Sequence, residues 1–278
     1  MKSFIIRFAA SFIFLVVIVS WYMIPDSFFV NYSDASQKIV LEKDDNKKVE
    51  KKNSKKLKES DVDDETEMNQ GDDEIKKTEE ISESIKNSVK HRVPFVVQAP
   101  HAQWDEEEYQ DACEEASMIM ADAWINNQWH ISKNDTEKQM EDMFEKEKAK
   151  YNGAIDTSIE DTSKFFNEYF GHDSVVAKNI SMDDMYKVLA AGNIIIAPTN
   201  GKWLDNPNFT NGGPDRHMLV IVGYDKKNGE FVTNDPGTRV GRGYKYKDSV
   251  LFNAIRDYKT GKKEAIEGMN KDVMIVKK

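Results

Sequence analysis

Residues 217–238 read HMLVIVGYDKKNGEFVTNDPGT. Met218–Val222 is an unbroken apolar run followed by Gly223, the pattern of a strand buried on both faces. Glu230–Thr233 is a second short strand; the turn between them falls around Tyr224–Asn228 if His217 and Asp235 pair, or at the tight Asn228-Gly229 signal. The stretch is an antiparallel hairpin with His217 at its mouth and Asp235 just before Pro236-Gly237. The two polar residues lie directly opposite only if paired residues sum to 452. A tight Asn228-Gly229 turn pairs residues summing to 457 instead. It would set Asp235 opposite Val222, on the order of 16 Å from His217 at about 3.3 Å per residue. Bringing His217 to Asp235 therefore requires a longer turn or a bulge, despite the Asn-Gly signal.

Upstream of the hairpin the period changes from strand to helix. Ala112–Ile125 reads as a helix capped by Asp111. Its buried stripe is Ala116, Ile119, Met120, Ala123 and Trp124. A second helix runs from Asp135 to about Lys148, with Met140, Met143 and Phe144 inward. Ser158, with Asp161 three residues on, opens a third that stops at Gly171. Ser181 and Asp184 open a fourth that runs to Ala191, before Gly192. Val93–Val97 is a short strand or an extended lead-in. Ile194–Ala197 is a buried strand, a late helix falls near 249–256, and Val273–Val276 is expected at a sheet edge. Helices first and an antiparallel sheet second make an α+β layout, spanning residues 91–278.

Residues 1–24 look different. Lys2 and Arg7 precede the uncharged run Phe8–Ile24, whose 17 residues reach the lower limit of a spanning helix. Trp21 and Tyr22 fall where an interfacial aromatic belt would lie, and the basic flank favours a cytoplasmic N-terminus with the rest outside. The run is read as a transmembrane signal-anchor, with a cleaved signal peptide as the rival. Residues 25–90 form a charged linker. Within 41–80, 25 of 40 residues are charged, and 33–90 holds no aromatic residue, so the segment cannot bury enough apolar surface to order itself. The net charge of −10 argues against non-specific nucleic-acid binding. The single cysteine excludes an intrachain disulfide, a CxxC redox pair and a multi-Cys zinc site. No HExxH, HxH or phosphate-binding loop occurs, so neither a metal nor another cofactor is expected.

That cysteine, Cys113, stands at the start of the first helix of the folded zone, where backbone N–H groups and the helix dipole favour a thiolate. A thiolate needs an imidazole to become fully reactive and to protonate a leaving group. His217 and Asp235 are the candidates for that pair. His91, His101, His130 and His172 lack such a setting.

The order of Cys at a helix start, His on a strand and Asp on the next strand is similar to that of papain-like cysteine peptidases. The local strings are narrower. Val93-Pro94-Phe95-Val96-Val97-Gln98-Ala99-Pro100, then Trp104, then Asp111-Ala112-Cys113-Glu114-Glu115-Ala116-Ser117 resembles the bacterial cysteine peptidases of family C thirty-nine type, which trim bacteriocin leaders. So do residues 217–225 followed by 234–238. The resemblance implies a papain-like fold over about 93–276. It implies Cys113 as nucleophile, His217 as base and then acid, and Asp235 as the group that orients the imidazole. Gln98 would donate to the oxyanion together with the Cys113 N–H. The sequence departs from the pattern in placing Gln98 fifteen positions before Cys113, which leaves Gln110 as a second candidate. Glu114 and Glu115 depart too. They suit a helix N-terminus, yet they would raise the pKa of a neighbouring thiol.

The long Thr199–Arg216 segment leads into His217 and is expected to wall a substrate cleft. Asn200, Trp203 and Arg216 are its candidate contacts. Residues 237–243 are the candidate opposite wall. The expected function is a membrane-tethered, extracytoplasmic peptidase acting on a peptide, isopeptide or cell-wall peptide through a thioester, and not one fused to an exporter. A silent peptide-binding module on the same fold and a wall hydrolase of NlpC type are the rivals. Oligomeric state is not legible.

Overall fold

The computed structural model describes residues 86–278 apart from 154–155, 263–265 and 267–269. The N-terminal apolar run and nearly all of the charged linker lie outside the described residues. Among the described residues, no helix is long and apolar enough to cross a membrane.

The chain runs β1 (Ser88–Lys90), α1 (Glu107–Gln110), α2 (Cys113–Ile125), α3 (Lys133–Lys150), α4 (Ile159–Phe170), β2 (Ser174–Ala177), α5 (Met182–Ala190), β3 (Ile194–Thr199), β4 (His217–Asp225), β5 (Glu230–Asn234), β6 (Arg242–Lys247), α6 (Asp248–Ala254) and β7 (Val273–Val276). Two short 3₁₀ turns, Gly201–Leu204 and Thr210–Gly212, sit between β3 and β4. All seven strands pair antiparallel, in the order β2-β7-β3-β4-β5-β6. β1 joins β4 beyond the point where β3 leaves it. The expected α+β class is therefore the observed one.

Helices cover both faces of the sheet, which is why β4 lacks alternation. Met218, Val220 and Val222 pack with Ile194, Ile196, Val232, Met274 and Val276 against α2, α3 and α4. Leu219 and Ile221 point the other way, with Ile195, Ala197 and Phe231, against α5 and α6. Burying a strand on both sides demands a continuous apolar run. The helix starts follow local chemistry. Ser132, Ser158 and Ser181 each accept from the N–H three residues on, and Gly171 ends α4 in the left-handed region.

Several expectations need correction. The folded zone begins before residue 91, because Ser88–Lys90 is a sheet strand. Val93–Val97 is extended without pairing as a strand. Asp111 does not cap α2, whose N-cap is Ala112 with no side-chain bond. The helix has no single buried stripe either: residues 113–121, 123 and 124 are all buried, so α2 is a central helix. Val273–Val276 is not an edge. It lies between β2 and β3, and the edge position falls to the short β2.

The hairpin settles between the two registers considered. Paired residues sum to 454 up to Ile221 and to 455 from Gly223 onward, with a bulge between. The turn spans four residues, 226–229, and ends on Gly229 at φ 60°. His217 and Asp235 are thus not directly opposite. Extending the register places them two residues out of step, a diagonal from which side chains still meet. The longer turn and the bulge are both present.

Candidate active site

His217 opens β4 and is held there by its ladder partner Thr199, whose Oγ1 donates to the His217 carbonyl at 3.1 Å. Its Nε2 lies 2.8 Å from Asp235 Oδ1, with the two side chains 1% and 0% exposed. Asp235 is also an acceptor for Gly237 N–H at 3.1 Å and for Tyr246 O–H at 2.5 Å. The tyrosine oxygen in turn accepts from Asn206 Nδ2 at 2.6 Å. Burial alone would raise the Asp235 pKa. The imidazole and these donors outweigh it and hold the carboxyl below its usual value. A carboxylate can only accept, so Nε2 carries the proton and Nδ1 is left with the lone pair. Phe209 meets the imidazole edge to face, 5.3 Å between ring centres. A methyl group at Gly237 would come within 2.8 Å of His217 Cε1 and 3.1 Å of Phe209. The segments on either side of β4 and β5 therefore close around the ring.

Cys113 is the first residue of α2, which packs against β4. Its sulfur accepts the N–H of Met218, the residue after His217, at 3.2 Å. Its S–H donates to Glu114 Oε2 at 3.0 Å. The residue is 5% exposed. Burial first, then the Glu114 charge and this hydrogen bond, push the thiol well above its ordinary pKa. The sulfur thus reaches the strand that carries His217, while its side-chain hydrogen bond goes to a carboxyl and not to the imidazole.

Glu114 and Glu115 are not a solvated first turn: both are fully buried. Glu114 Oε1 accepts from Tyr258 O–H at 2.5 Å. Asp156, paired with Arg216, lies close enough for its charge to raise the Glu114 pKa further, after burial. Glu115 meets Glu147 of α3 instead, carboxyl to carboxyl. Among the described residues, neither carboxyl has an N–H or O–H donor from another side chain. One of the two must therefore be protonated and donate to the other. Burial raises both, and Glu147 is pushed up to about 8. The sequence signal for burial was there: a helix apolar all round leaves its acids no wet face.

The remaining expected residues sit as follows. Gln98 is buried, and its Nε2 donates to the carbonyls of Tyr109 at 3.0 Å and Gln110 at 2.7 Å. Its backbone N–H bonds Pro236 O at 3.1 Å. It ties the approach to Cys113 to the turn after Asp235, with both side-chain N–H groups occupied. The Gln110 side chain is exposed. Asn200 is buried and shapes a turn: Oδ1 accepts from Lys202 N at 3.1 Å, and its N–H bonds Ala254 O at 2.8 Å. Arg216 bonds Asp156 through Nε and the Lys262 carbonyl through Nη1 at 2.8 Å. Trp203 is 45% exposed, with the Arg256 guanidinium 4.9 Å from its ring centre. Tyr246, Asn206 and Tyr258 were not anticipated. Only Tyr246 had a signal, the alternation Tyr244-Lys245-Tyr246-Lys247 of a strand.

A model described as the Peptidase_C39 like family matches residues 76–266. No curated protein matches the sequence. A solved structure from Bacillus anthracis, provisionally described as a C39-like peptidase, is similar at 18% identity and a TM-score of 0.44. The match covers 69% of this chain and 98% of that one.

Proposed function

The chain belongs to the Peptidase_C39 like family, and on that premise we propose that it is a cysteine peptidase with Cys113 as nucleophile, His217 as base and acid, and Asp235 as the imidazole's anchor. The observation that carries the reading is the buried His217–Asp235 bond, which fixes the tautomer and leaves Nδ1 as the base. In the first step the Cys113 proton passes to Nδ1 and Sγ attacks the scissile carbonyl carbon. The developing oxyanion is met by the Cys113 N–H, and by Gln98 once its amide exchanges a carbonyl partner for the substrate oxygen. The imidazolium then protonates the leaving amine, and a thioester remains. Water, deprotonated by the same imidazole, hydrolyses the thioester and restores the thiol.

The substrate class we propose is a peptide or isopeptide amide, with Trp203 as a contact surface outside the buried centre. The charge pattern of residues 1–24 supports a membrane tether with the peptidase domain outside the cytoplasm. Fractionation of cells, with protease added to intact cells, tests that placement. Release of fragments from purified peptidoglycan would move the substrate to the wall. The buried sulfur, bonded to Glu114, favours one other reading: a silent peptide-binding module. A peptide-aldehyde probe with mass spectrometric localisation separates the two. The peptidase reading expects an adduct on Cys113 and loss of turnover in Cys113→Ala. Turnover unchanged by Cys113→Ala, or no adduct at any pH, refutes it.

A further inference from the structure

Residues i and i+1 of a helix do not face each other. Cys113 and Glu114 nevertheless touch, 3.0 Å from sulfur to Oε2. The contact exists because the carboxyl is held from outside the helix. Tyr258, itself fully buried, donates to Oε1 at 2.5 Å. A fully buried carboxyl with this partner has no freedom to swing away.

From this we infer that Glu114 is a latch: it holds Cys113 in the resting protein as a neutral thiol, hydrogen-bonded away from the imidazole, and the sulfur must leave Glu114 before it can react. The inference rests on Cys113 being the nucleophile of the proposed reaction and adds a positioning residue to it. The helix N-terminus and the Met218 N–H both favour a thiolate. The latch works against them. A cysteine peptidase with such a latch is quiet toward stray electrophiles and becomes reactive when a substrate in the cleft displaces the contact. Burial first, and Glu114 after it, push the thiol upward, and burial pushes the Glu114 carboxyl upward as well.

The test is the pH dependence of Cys113 alkylation by iodoacetamide in the full chain, with the adduct located by mass spectrometry. The wild type should titrate above the ordinary thiol value of about 8.5. Glu114→Gln keeps the shape and the tyrosine partner but replaces the acceptor facing the sulfur with an N–H donor, and its midpoint should fall by at least about one unit. Tyr258→Phe loosens the carboxyl, should move the midpoint the same way by less, and decides the matter if Glu114→Gln does not fold. His217→Ala should leave the midpoint unchanged, because the imidazole does not hold the resting sulfur. A wild-type midpoint below 8.5 that rises in His217→Ala overturns the latch, as do folded Glu114 and Tyr258 variants with the wild-type midpoint. Peptide cleavage is read separately. Its absence would sink the peptidase reading while the alkylation midpoints still decide the latch.

Discussion

Tyr246→Phe removes one oxygen and leaves the ring in place. Tyr246 is buried on β6, its ring 4.7 Å from that of Tyr244, so phenylalanine keeps the packing. What is lost is the 2.5 Å bond to Asp235 Oδ2, and Asn206 Nδ2 loses the acceptor it had at 2.6 Å. A hydrogen bond to a buried charged group contributes about 1.5–3 kcal/mol, and a buried donor left unpaired costs about 1–3 kcal/mol. Partial relaxation of Asn206 brings the expected loss to about 2–4 kcal/mol, a large share of a typical 5–15 kcal/mol. The pH dependence gives the mechanism its own signature. Asp235 has a folded pKa held below the unfolded value near 3.9. Its contribution is therefore complete above that value and is lost as pH falls through the folded pKa. The gap between wild type and variant should be constant above about pH 5 and should narrow below about pH 4. Urea unfolding at a series of pH values measures it. A gap under about 0.5 kcal/mol at neutral pH, or one that widens in acid, refutes the account of how this carboxylate is held.

The Glu115–Glu147 pair predicts the opposite slope. The Glu147 pKa is raised from about 4.5 to about 8, so its stabilising effect is complete below the unfolded value and is lost as pH rises toward 8. Glu147→Gln should flatten the fall in thermal midpoint between pH 5 and 8, and a variant with the wild-type slope would contradict a shared proton. Arg216→Met leaves the buried Asp156 without its cation, which should cost about 3–5 kcal/mol in denaturant unfolding. A substrate contact would instead raise KM and leave stability alone. Gly223→Ala would put a methyl group 2.1 Å from the Val89 carbonyl, and β1 should detach. Hydrogen exchange at residues 88–91 should then accelerate while β3 and β5 stay protected, and unchanged protection at 88–91 counts against β1 as a sheet strand.

Fold and site were legible to different depths, for physical reasons. α4 and α5 could be bounded from sequence because their starts are chemical: a serine side chain accepts the N–H three residues on, with Asp161 or Asp184 at that place. α2 was found but misjudged. Periodicity assumes a wet face, and a helix wrapped by α3, α4 and the sheet has none. β2 escaped because four residues at a sheet edge, half-buried, carry too little pattern. Placing β7 in the interior needed the topology, since an apolar Val-Met-Ile-Val is equally at home inside a sheet or at its edge.

The site divides along the same line. The places of Cys113, His217 and Asp235 in the fold were legible because each is fixed by a local feature: a helix start, the mouth of a strand and a Pro-Gly turn. The partners of Gln98 were not legible, because they are main-chain carbonyls of Tyr109 and Gln110, shortly before Cys113. Arg216 was misplaced because a cation beside a proposed active site looks like a substrate contact until its buried carboxylate appears, and Asp156 lies sixty residues away in sequence. Glu114 was noticed, but its burial was not foreseen. An acid in the first helical turn satisfies the dipole rule, and that sufficient local explanation hid the tertiary one. The dipole argument assumes an exposed carboxylate. Once Glu114 is buried, its own pKa rises together with that of the thiol, against the thiolate that the helix terminus favours, and that coupling follows from tertiary packing, which spacing along the helix does not record.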